Sequence, residues 1–201
     1  MRYLTALYSL AFFSILVFTS SVWPLSFQDK DLYKLLKTKR CDECSLEGID
    51  IVNTDLSGAS LVNTLLKNSN LSGSNLDGVD LRGANLTHAN LSATTLREAD
   101  LTGAILQGTN FIESDLTDAV LDFGSLSTSN WQFAIGINPK YLTFIDVYNA
   151  GVSEYKGNRF RNAEKFFLEA IKKEPGNIKP LLACSSTRLK QGKTQLAVED
   201  L

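Results

Sequence analysis

Large apolar residues recur every five positions along the middle of the chain, beginning at Leu46 and ending at Trp131. The residue just before each of them is usually Asp or Asn, and the residue two positions before is usually Ala or Ser. The central positions are Leu46, Ile51, Leu56, Leu61, Leu66, Leu71, Leu76, Leu81, Leu86, Leu91, Leu96, Leu101, Leu106, Phe111, Leu116, Leu121, Leu126 and Trp131. Such a regular series predicts one repeated structural unit over residues 44–134.

A period of five fits neither regular element, because an α-helix repeats its faces about every 3.6 residues and a strand every two. To bring every central residue to the same side, the chain must turn once in each repeat. Four corners then close one coil, and successive coils would stack at the strand spacing of about 4.8 Å. Gly73, Gly78 and Gly103 stand two positions after a central residue, where glycine supplies the positive φ that such a turn requires.

The stretches ANLTH at 84–88 and ADLTG at 99–103 match the pattern A(D/N)LXX. Over about residues 44–133 the chain therefore resembles the pentapeptide-repeat family. The resemblance implies a right-handed, four-sided β-helix. We expect a mainly β fold, a right-handed quadrilateral β-helix at 44–134, with a capping helix before it and an α-helical segment after it.

The first 25 residues have the composition of a targeting segment. After Arg2 no charged residue occurs before Asp29, and the run from Tyr3 to Trp23 is apolar with scattered Ser and Thr. About 20 such residues suffice to span a membrane, and the same run suits a cleaved signal peptide that ends before Pro24. Segment 1–25 is therefore a signal peptide or a transmembrane anchor. Either alternative predicts export, with the protein free or tethered to the membrane.

Residues 29–40 predict a short amphipathic helix, since Leu32, Leu35 and Leu36 share one face. Such a helix would cover the open edge of the first coil. The stretch LYKLLKTKRCDECSLEG resembles the entry to exported cyanobacterial pentapeptide proteins, where a Leu-rich helix and a C-x-x-C lead into the repeats. That resemblance implies the periplasm or the thylakoid lumen as the compartment.

Cys41 and Cys44 form the C-x-x-C, and three interpretations stay open for them: a disulfide in an oxidising compartment, buried free thiols, or a redox or metal role. Zinc prefers four ligands, yet His88 is the only histidine and lies far along the repeats. A single histidine also provides no nucleophile–base pair, and the acidic residues follow the repeat. We therefore predict no catalytic residue, no metal site and no cofactor, and a protein that is not an enzyme.

The five-residue period ends before residue 139, and the spacing of apolar residues over 139–201 predicts helices. Their residues repeat at a spacing of 34, which resembles a tetratricopeptide repeat (TPR); the match rests on Gly151, Tyr155, Phe160, Ala163, Phe167, Ala170 and Pro175. The resemblance implies paired antiparallel helices with a groove for a partner. The second copy is incomplete, so a plain cap on the last coil is an equal alternative. Val120, Phe123 and Phe133, apolar at outward positions, are the candidate coil-to-helix contacts.

Charge and surface pattern bear on the partner. The net charge is −2, which provides no positive field for nucleic acid, and the acids concentrate in the repeats. Leu65 and Ile105 replace the usual polar residue and form a candidate interaction surface. The sequence thus predicts a non-enzymatic, exported scaffold that binds an unidentified protein partner. The alternative, implied by the family resemblance, is an acidic rod that mimics duplex DNA and binds a topoisomerase such as DNA gyrase.

Overall fold

The computed structural model describes residues 27–200. Its helices are α1 (Phe27–Thr38), α2 (Phe144–Lys156), α3 (Phe160–Lys173), α4 (Ile178–Lys190) and α5 (Thr194–Glu199), with short 3₁₀ turns at Ser125–Thr128 and Pro139–Tyr141. Between α1 and α2 the chain winds as a stack of coils.

The predicted transmembrane segment finds no counterpart among residues 27–200. No helix in that range is both long and apolar enough to cross a bilayer. The longest, α3, has 14 residues and measures about 21 Å, against a hydrocarbon core of about 30 Å. The segment 1–25, on which the signal-peptide and anchor predictions rest, lies outside the described residues.

The coils repeat every twenty residues. Residues such as Asn70, Asn90 and Asn110 form parallel bridges with the residue twenty positions along, and this register holds from Arg40 to Ile135. The turns between bridges use positive φ, at Gly78 (64°) for example and also at Ala93 (54°). Four turns spaced five residues apart thus bring the chain back to the same face every twenty residues.

The predicted fold class, a mainly β protein with a β-helix, is wrong for the described residues. Every parallel pairing in the coils is an isolated bridge of one residue, and no strand or sheet forms in residues 27–200. The regular elements of several residues in this range are helices. The physical reason lies in the short repeat. Only one residue in five pairs with the next coil before the chain turns, and a strand requires consecutive paired residues.

The central residues fill the interior of the coils. Leu86, Leu91 and Phe111 have no exposed surface, and burying such side chains contributes about 1.5–3 kcal/mol each. Buried hydroxyls at the small positions are also paired: Thr64 donates to the Cys41 carbonyl at 2.6 Å, and Thr109 to the Leu86 carbonyl at 2.8 Å. The interior therefore combines apolar burial with satisfied hydrogen bonds between coils.

Helix α1 covers the first coil. Leu35 is completely buried in the same core as the central residues. The backbone N–H of Ser45 donates to the Asp31 carboxylate at 2.9 Å, and the Gln28 amide donates to the Glu47 carbonyl. Side chains of the helix thus reach both the interior and the backbone edge of the coil.

Helices α2 and α3 cover the other end, because Val147 of α2 and Ala170 of α3 join the coil core, together with Leu142 just before α2. Tyr148 stacks on Phe144 at 5.9 Å and contacts Phe167 at 5.8 Å between ring centroids. A Cβ at Gly151 would lie 2.6 Å from the Phe167 ring, so glycine allows α2 and α3 to approach closely. Helices α4 and α5 continue the array beyond α3.

Candidate functional site

Leu65 and Ile105 lie on one face of the coils, which we name the Leu65 face. Both form bridges with Asn85 between them, so they stand two coils apart, or about 10 Å at the usual strand spacing. Their exposed fractions are 40% for Leu65 and 50% for Ile105. Two large apolar side chains are therefore presented to solvent on either side of one polar residue.

The acids of the coils lie mainly on two other faces. Those faces contain the bridge series of Asn75 and of Asp80; their acids are Asp55, Asp77, Asp80, Glu98, Asp100, Asp115, Asp118 and Asp122. Arginines neutralise part of this charge: Arg82 bonds Asp80 at 2.7 Å and Arg97 bonds Asp115 at 2.6 Å. Hydrogen bonds from Thr117 and Arg97 lower the pKa of Asp115 in spite of its burial. The negative charge of the coils is thus concentrated on two faces and partly paired with arginine.

An asparagine ladder stiffens the remaining face. The Asn70, Asn90 and Asn110 side-chain amides each donate at 3.0 Å to the side-chain oxygen one coil earlier, beginning at Asp50. The side chains of Asn70, Asn90 and Asn110 are therefore hydrogen-bonded to one another along the axis of the coils. This face therefore serves the rigidity of the coils.

Cys41 and Cys44 are joined by a disulfide, with their Cα atoms 5.3 Å apart and both side chains buried. The Asp31 carboxylate and the two sulfurs lie within 4.8 Å of one another. Because the sulfurs are bonded together, neither is a thiolate that a metal would require. Burial raises the pKa of the third cysteine, Cys184, to about 11, which keeps that thiol protonated.

Two of the three candidate contact residues meet α3. The Arg159 guanidinium lies 4.9 Å from the centre of the Phe133 ring, and the Lys173 ammonium lies 6.0 Å from that of Phe123. These cations stand just before the first and at the last residue of α3. Val120 instead forms a bridge with Asp100 and stays 43% exposed. Helix α3 thus spans the end of the coils between two exposed aromatic rings.

Asp146 ties the coils to α2, a role that the sequence analysis missed. Its carboxylate accepts hydrogen bonds from the Thr143 backbone N–H at 2.8 Å and from the Thr143 hydroxyl at 2.6 Å. It also accepts from the Ser127 hydroxyl at 2.7 Å, on the last coil. The T-x-x-D spacing of Thr143 and Asp146 is the sequence signal of a capping box; the contact with Ser127 leaves no such signal.

Glu164 forms a buried ionic cluster between α3 and α4–α5. It accepts hydrogen bonds from Arg188 at 2.9 Å, Gln191 at 2.8 Å and Lys193 at 2.6 Å. Burial acts to raise its pKa, but these three donors outweigh burial and lower the pKa to about 2. The cluster fixes the helices that follow α3.

A cleft of about 980 Å³ lies between part of the last coil and helices α2 and α3, which elsewhere pack against the coil core. Trp131, Phe133 and Ile135 line it on the coil side, and Ser153 and Phe166 line it on the helix side. Its volume lies in the range of about 300–1,000 Å³ that ligand sites occupy. No sequence pattern indicates this cleft, since its shape depends on the angle at which the helices leave the coils.

The family model for pentapeptide repeats matches residues 64–103 and 95–130, with eight copies of the repeat. A comparison with curated proteins gives no match. Three solved structures are similar to parts of the chain. The first is HetL, a pentapeptide repeat protein involved in heterocyst differentiation regulation from the cyanobacterium Nostoc sp. strain PCC 7120. It is 26% identical, with 47% of this chain and 46% of HetL covered and a TM-score of 0.37.

The second is a pentapeptide repeat protein from the Arabidopsis thaliana thylakoid lumen, with 25% identity, 55% and 77% coverage and a TM-score of 0.29. The third is QnrB1, a plasmid-mediated fluoroquinolone resistance protein, with 21% identity, 59% and 63% coverage and a TM-score of 0.24. The match spans less than half of HetL. The TPR-like resemblance of 139–201 and the exported, cyanobacterial type stay predictions. Residues 64–130 match the family model for pentapeptide repeats, and the twenty-residue register of bridges runs through the same residues.

Proposed function

We propose that the protein is a non-enzymatic interaction module that binds a protein partner through the Leu65 face. The observation that carries this proposal is the exposure of Leu65 and Ile105 at positions where the repeat normally has a polar residue. Of the eleven acids in residues 44–134, this face has only Glu47. An apolar pair without surrounding negative charge favours contact with another protein, since burying such side chains provides affinity without desolvating a charge.

The test replaces both side chains with carboxylates. Asp already occupies the bridge position at Asp50, Asp80 and Asp100, so Leu65→Asp with Ile105→Asp is compatible with the coil. We expect at least about tenfold weaker partner binding, because each lost apolar contact contributes on the order of 1 kcal/mol. Affinity capture from the membrane and soluble fractions of the source cells, followed by titration of the captured partner, measures this.

The matched control is Asn75→Asp with Thr95→Asp. It adds the same negative charge at the same kind of position, on a face that is already acidic. We expect capture as in the unaltered chain. Equal loss of binding in the control and in the double Leu65→Asp, Ile105→Asp variant would assign the effect to charge alone and reject the Leu65 face.

The same proposal includes export, with the segment 1–25 removed as a signal peptide. Two features support it: the apolar composition of residues 3–23, and the disulfide between Cys41 and Cys44, which suits an oxidising compartment. Cell fractionation with N-terminal sequencing tests it. A mature protein recovered from the cytosol with Met1 intact would contradict export.

The acidic faces favour a second candidate function, binding to a topoisomerase such as DNA gyrase by mimicry of duplex DNA. Eight of the eleven acids in residues 44–134 lie on two faces, as a one-sided phosphate-like surface requires. A supercoiling assay with purified gyrase distinguishes the two candidates. Inhibition that is lost with Glu98→Gln and Asp118→Asn, two exposed acids of these faces, but kept with Leu65→Asp and Ile105→Asp, would favour mimicry over the Leu65 face.

A further inference from the structure

We propose that the edge of the last coil is a docking site for an extended peptide of another protein. The peptide would bind in the cleft between this coil and helices α2 and α3 and continue the pairing of the coils by one layer. This site is separate from the Leu65 face, and the proposal does not depend on it.

Each coil pairs with the next through the same backbone groups. On the face that contains the asparagine ladder, the N–H of Phe111 donates to the Asn130 carbonyl at 2.6 Å, and that of Glu113 to the Gln132 carbonyl at 3.1 Å. In return, the N–H of Asn130 donates to the Thr109 carbonyl at 2.9 Å. One residue therefore both donates and accepts, and the residue two positions later accepts again.

The last coil presents the same three groups, and they have no backbone partner in the part of the chain that the structure describes. By register these are the N–H groups of Trp131 and Phe133 and the carbonyl of Ser129. Within residues 27–200, no hydrogen bond joins any of the three to another backbone group. Since the corresponding N–H groups of earlier coils point toward the next coil, these point toward α2 and α3. An extended peptide of three residues would satisfy all three, in the manner of β-strand addition.

The helices leave room for such a peptide. The cleft of about 980 Å³ lies on this edge and has Trp131 and Phe133 on its coil side. Trp131 is only half-buried, unlike Phe111 one coil earlier, which is fully buried. In the coils the residue after a bridge points inward, so the second residue of the peptide would cover the Trp131 ring. An apolar side chain fits that position.

Charge on the wall of the cleft specifies a further residue. Among the lining acids, Glu154 already pairs with Arg159 at 2.8 Å, and Glu169 with Lys172 at 3.1 Å. The ammonium of Lys165, also in the lining, has no carboxylate partner within residues 27–200. An acidic residue near the apolar one would pair with it. The occupant is thus an extended segment with a polar residue at the bridge position, an apolar residue at the inward position and an acidic residue close to these two.

The probe is the blocked pentapeptide acetyl-TNLSE-amide, in which Asn and Leu take the bridge and inward positions. It is titrated to about 5 mM, the range of weak peptide binding, into the ¹⁵N-labelled full chain. We expect saturable shifts of the Trp131 and Phe133 amide signals. The same peptide N-methylated at Asn cannot donate to Ser129, and we expect it not to bind. Absence of shifts, or equal binding of both peptides, overturns the proposal.

Lys165 provides a charge-reversal test, since its side chain is exposed and its replacement leaves the core intact. Lys165→Glu should weaken acetyl-TNLSE-amide about fivefold, the effect of one exposed ion pair, and acetyl-TNLSK-amide should recover that loss. If Lys165→Glu leaves the affinities of both peptides unchanged, charge has no role in binding and the proposed acidic occupant is wrong.

The Leu65→Asp, Ile105→Asp variant should bind the peptide as the unaltered chain does, which separates failure of this proposal from failure of the Leu65 face. Sedimentation of the chain alone provides the last comparison. Self-association that shifts the same two amides would make a second copy the occupant, and the peptide proposal would then fail.

Discussion

The junction between coils and helices depends on a glycine that no other residue can replace without backbone movement. Gly136 has φ +76°, and a Cβ there would lie 2.3 Å from the backbone nitrogen of Thr117 and 2.4 Å from its Cα. Real Cβ atoms do not approach backbone so closely. We predict that Gly136→Ala shifts the chain where it leaves the coils and loosens the helices from the last coil.

The magnitude follows from two contributions. An L-residue in the left-handed region costs about 1–2 kcal/mol, and forcing extra volume against packed backbone costs about 1–3 kcal/mol. We therefore expect Gly136→Ala to lower the free energy of unfolding by about 2–4 kcal/mol. Gly78→Ala is the matched control, since Gly78 has φ +64° and nothing within 4 Å of its would-be Cβ. Ala93 already adopts φ +54° at the same turn position, so this control should lose about 1 kcal/mol.

Urea denaturation followed by circular dichroism measures the two free energies, and hydrogen exchange locates the loss. We expect Gly136→Ala to increase exchange in α2 and α3, while Gly78→Ala changes exchange only around its own turn. A loss for Gly136→Ala no larger than that for Gly78→Ala would contradict this prediction, because a Cβ at residue 136 would then not be forced against the backbone of Thr117.

Three further predictions concern single contacts. Asp146→Ala should lose about 1–2 kcal/mol of unfolding free energy in urea and Asn177→Ala, a cap without a coil contact, about half of that; equal losses would reject the bond to Ser127. The folded pKa of Glu164, about 2, lies below its ordinary 4.5, so its stabilisation is present above pH 4.5 and is lost as the pH falls toward 2. Thermal unfolding should therefore separate the unaltered chain from Glu164→Gln by about 3 kcal/mol at pH 7 and much less at pH 2.5; a constant gap would contradict this. Reducing the Cys41–Cys44 disulfide should cost at most about 2 kcal/mol, since the loop it closes is short, with faster exchange confined to α1; exchange that also increases at α3 would contradict a local role.

The sequence predicted those parts of the fold that depend on the repeat itself. The five-residue period predicted coils of twenty residues, and central positions such as Leu86 and Leu101 are buried as that period requires. The mainly β class was wrong because a pattern of side chains says which residues face inward, and not how many consecutive residues pair. One bridge per turn provides the same burial as a strand would, without forming one.

The candidate surface and the junction differ in how they relate to sequence. Leu65 and Ile105 could be predicted from the sequence because they interrupt a regular pattern of polar residues. The cleft could not be predicted, since its shape depends on the chain direction at Gly136 and on the hydrogen bond from Ser127 to Asp146. Residues nineteen positions apart in different elements leave no periodic signal, so only the structure brings them together.

The two ends of the coils are covered in different ways, and this difference determines where a partner can add to the backbone. At the first coil, side chains of α1 bond to backbone groups: Asp31 to the N–H of Ser45, and Gln28 to the carbonyl of Glu47. At the last coil, α2 and α3 contribute apolar side chains to the core, but no backbone partner within residues 27–200 meets the N–H groups of Trp131 and Phe133. A coil of identical layers has no intrinsic direction for growth, because each edge presents the same kinds of groups. Here α1 bonds to the edge of the first coil, whereas a cleft leaves the edge of the last coil accessible. We therefore expect a strand to add at the last coil and not at the first.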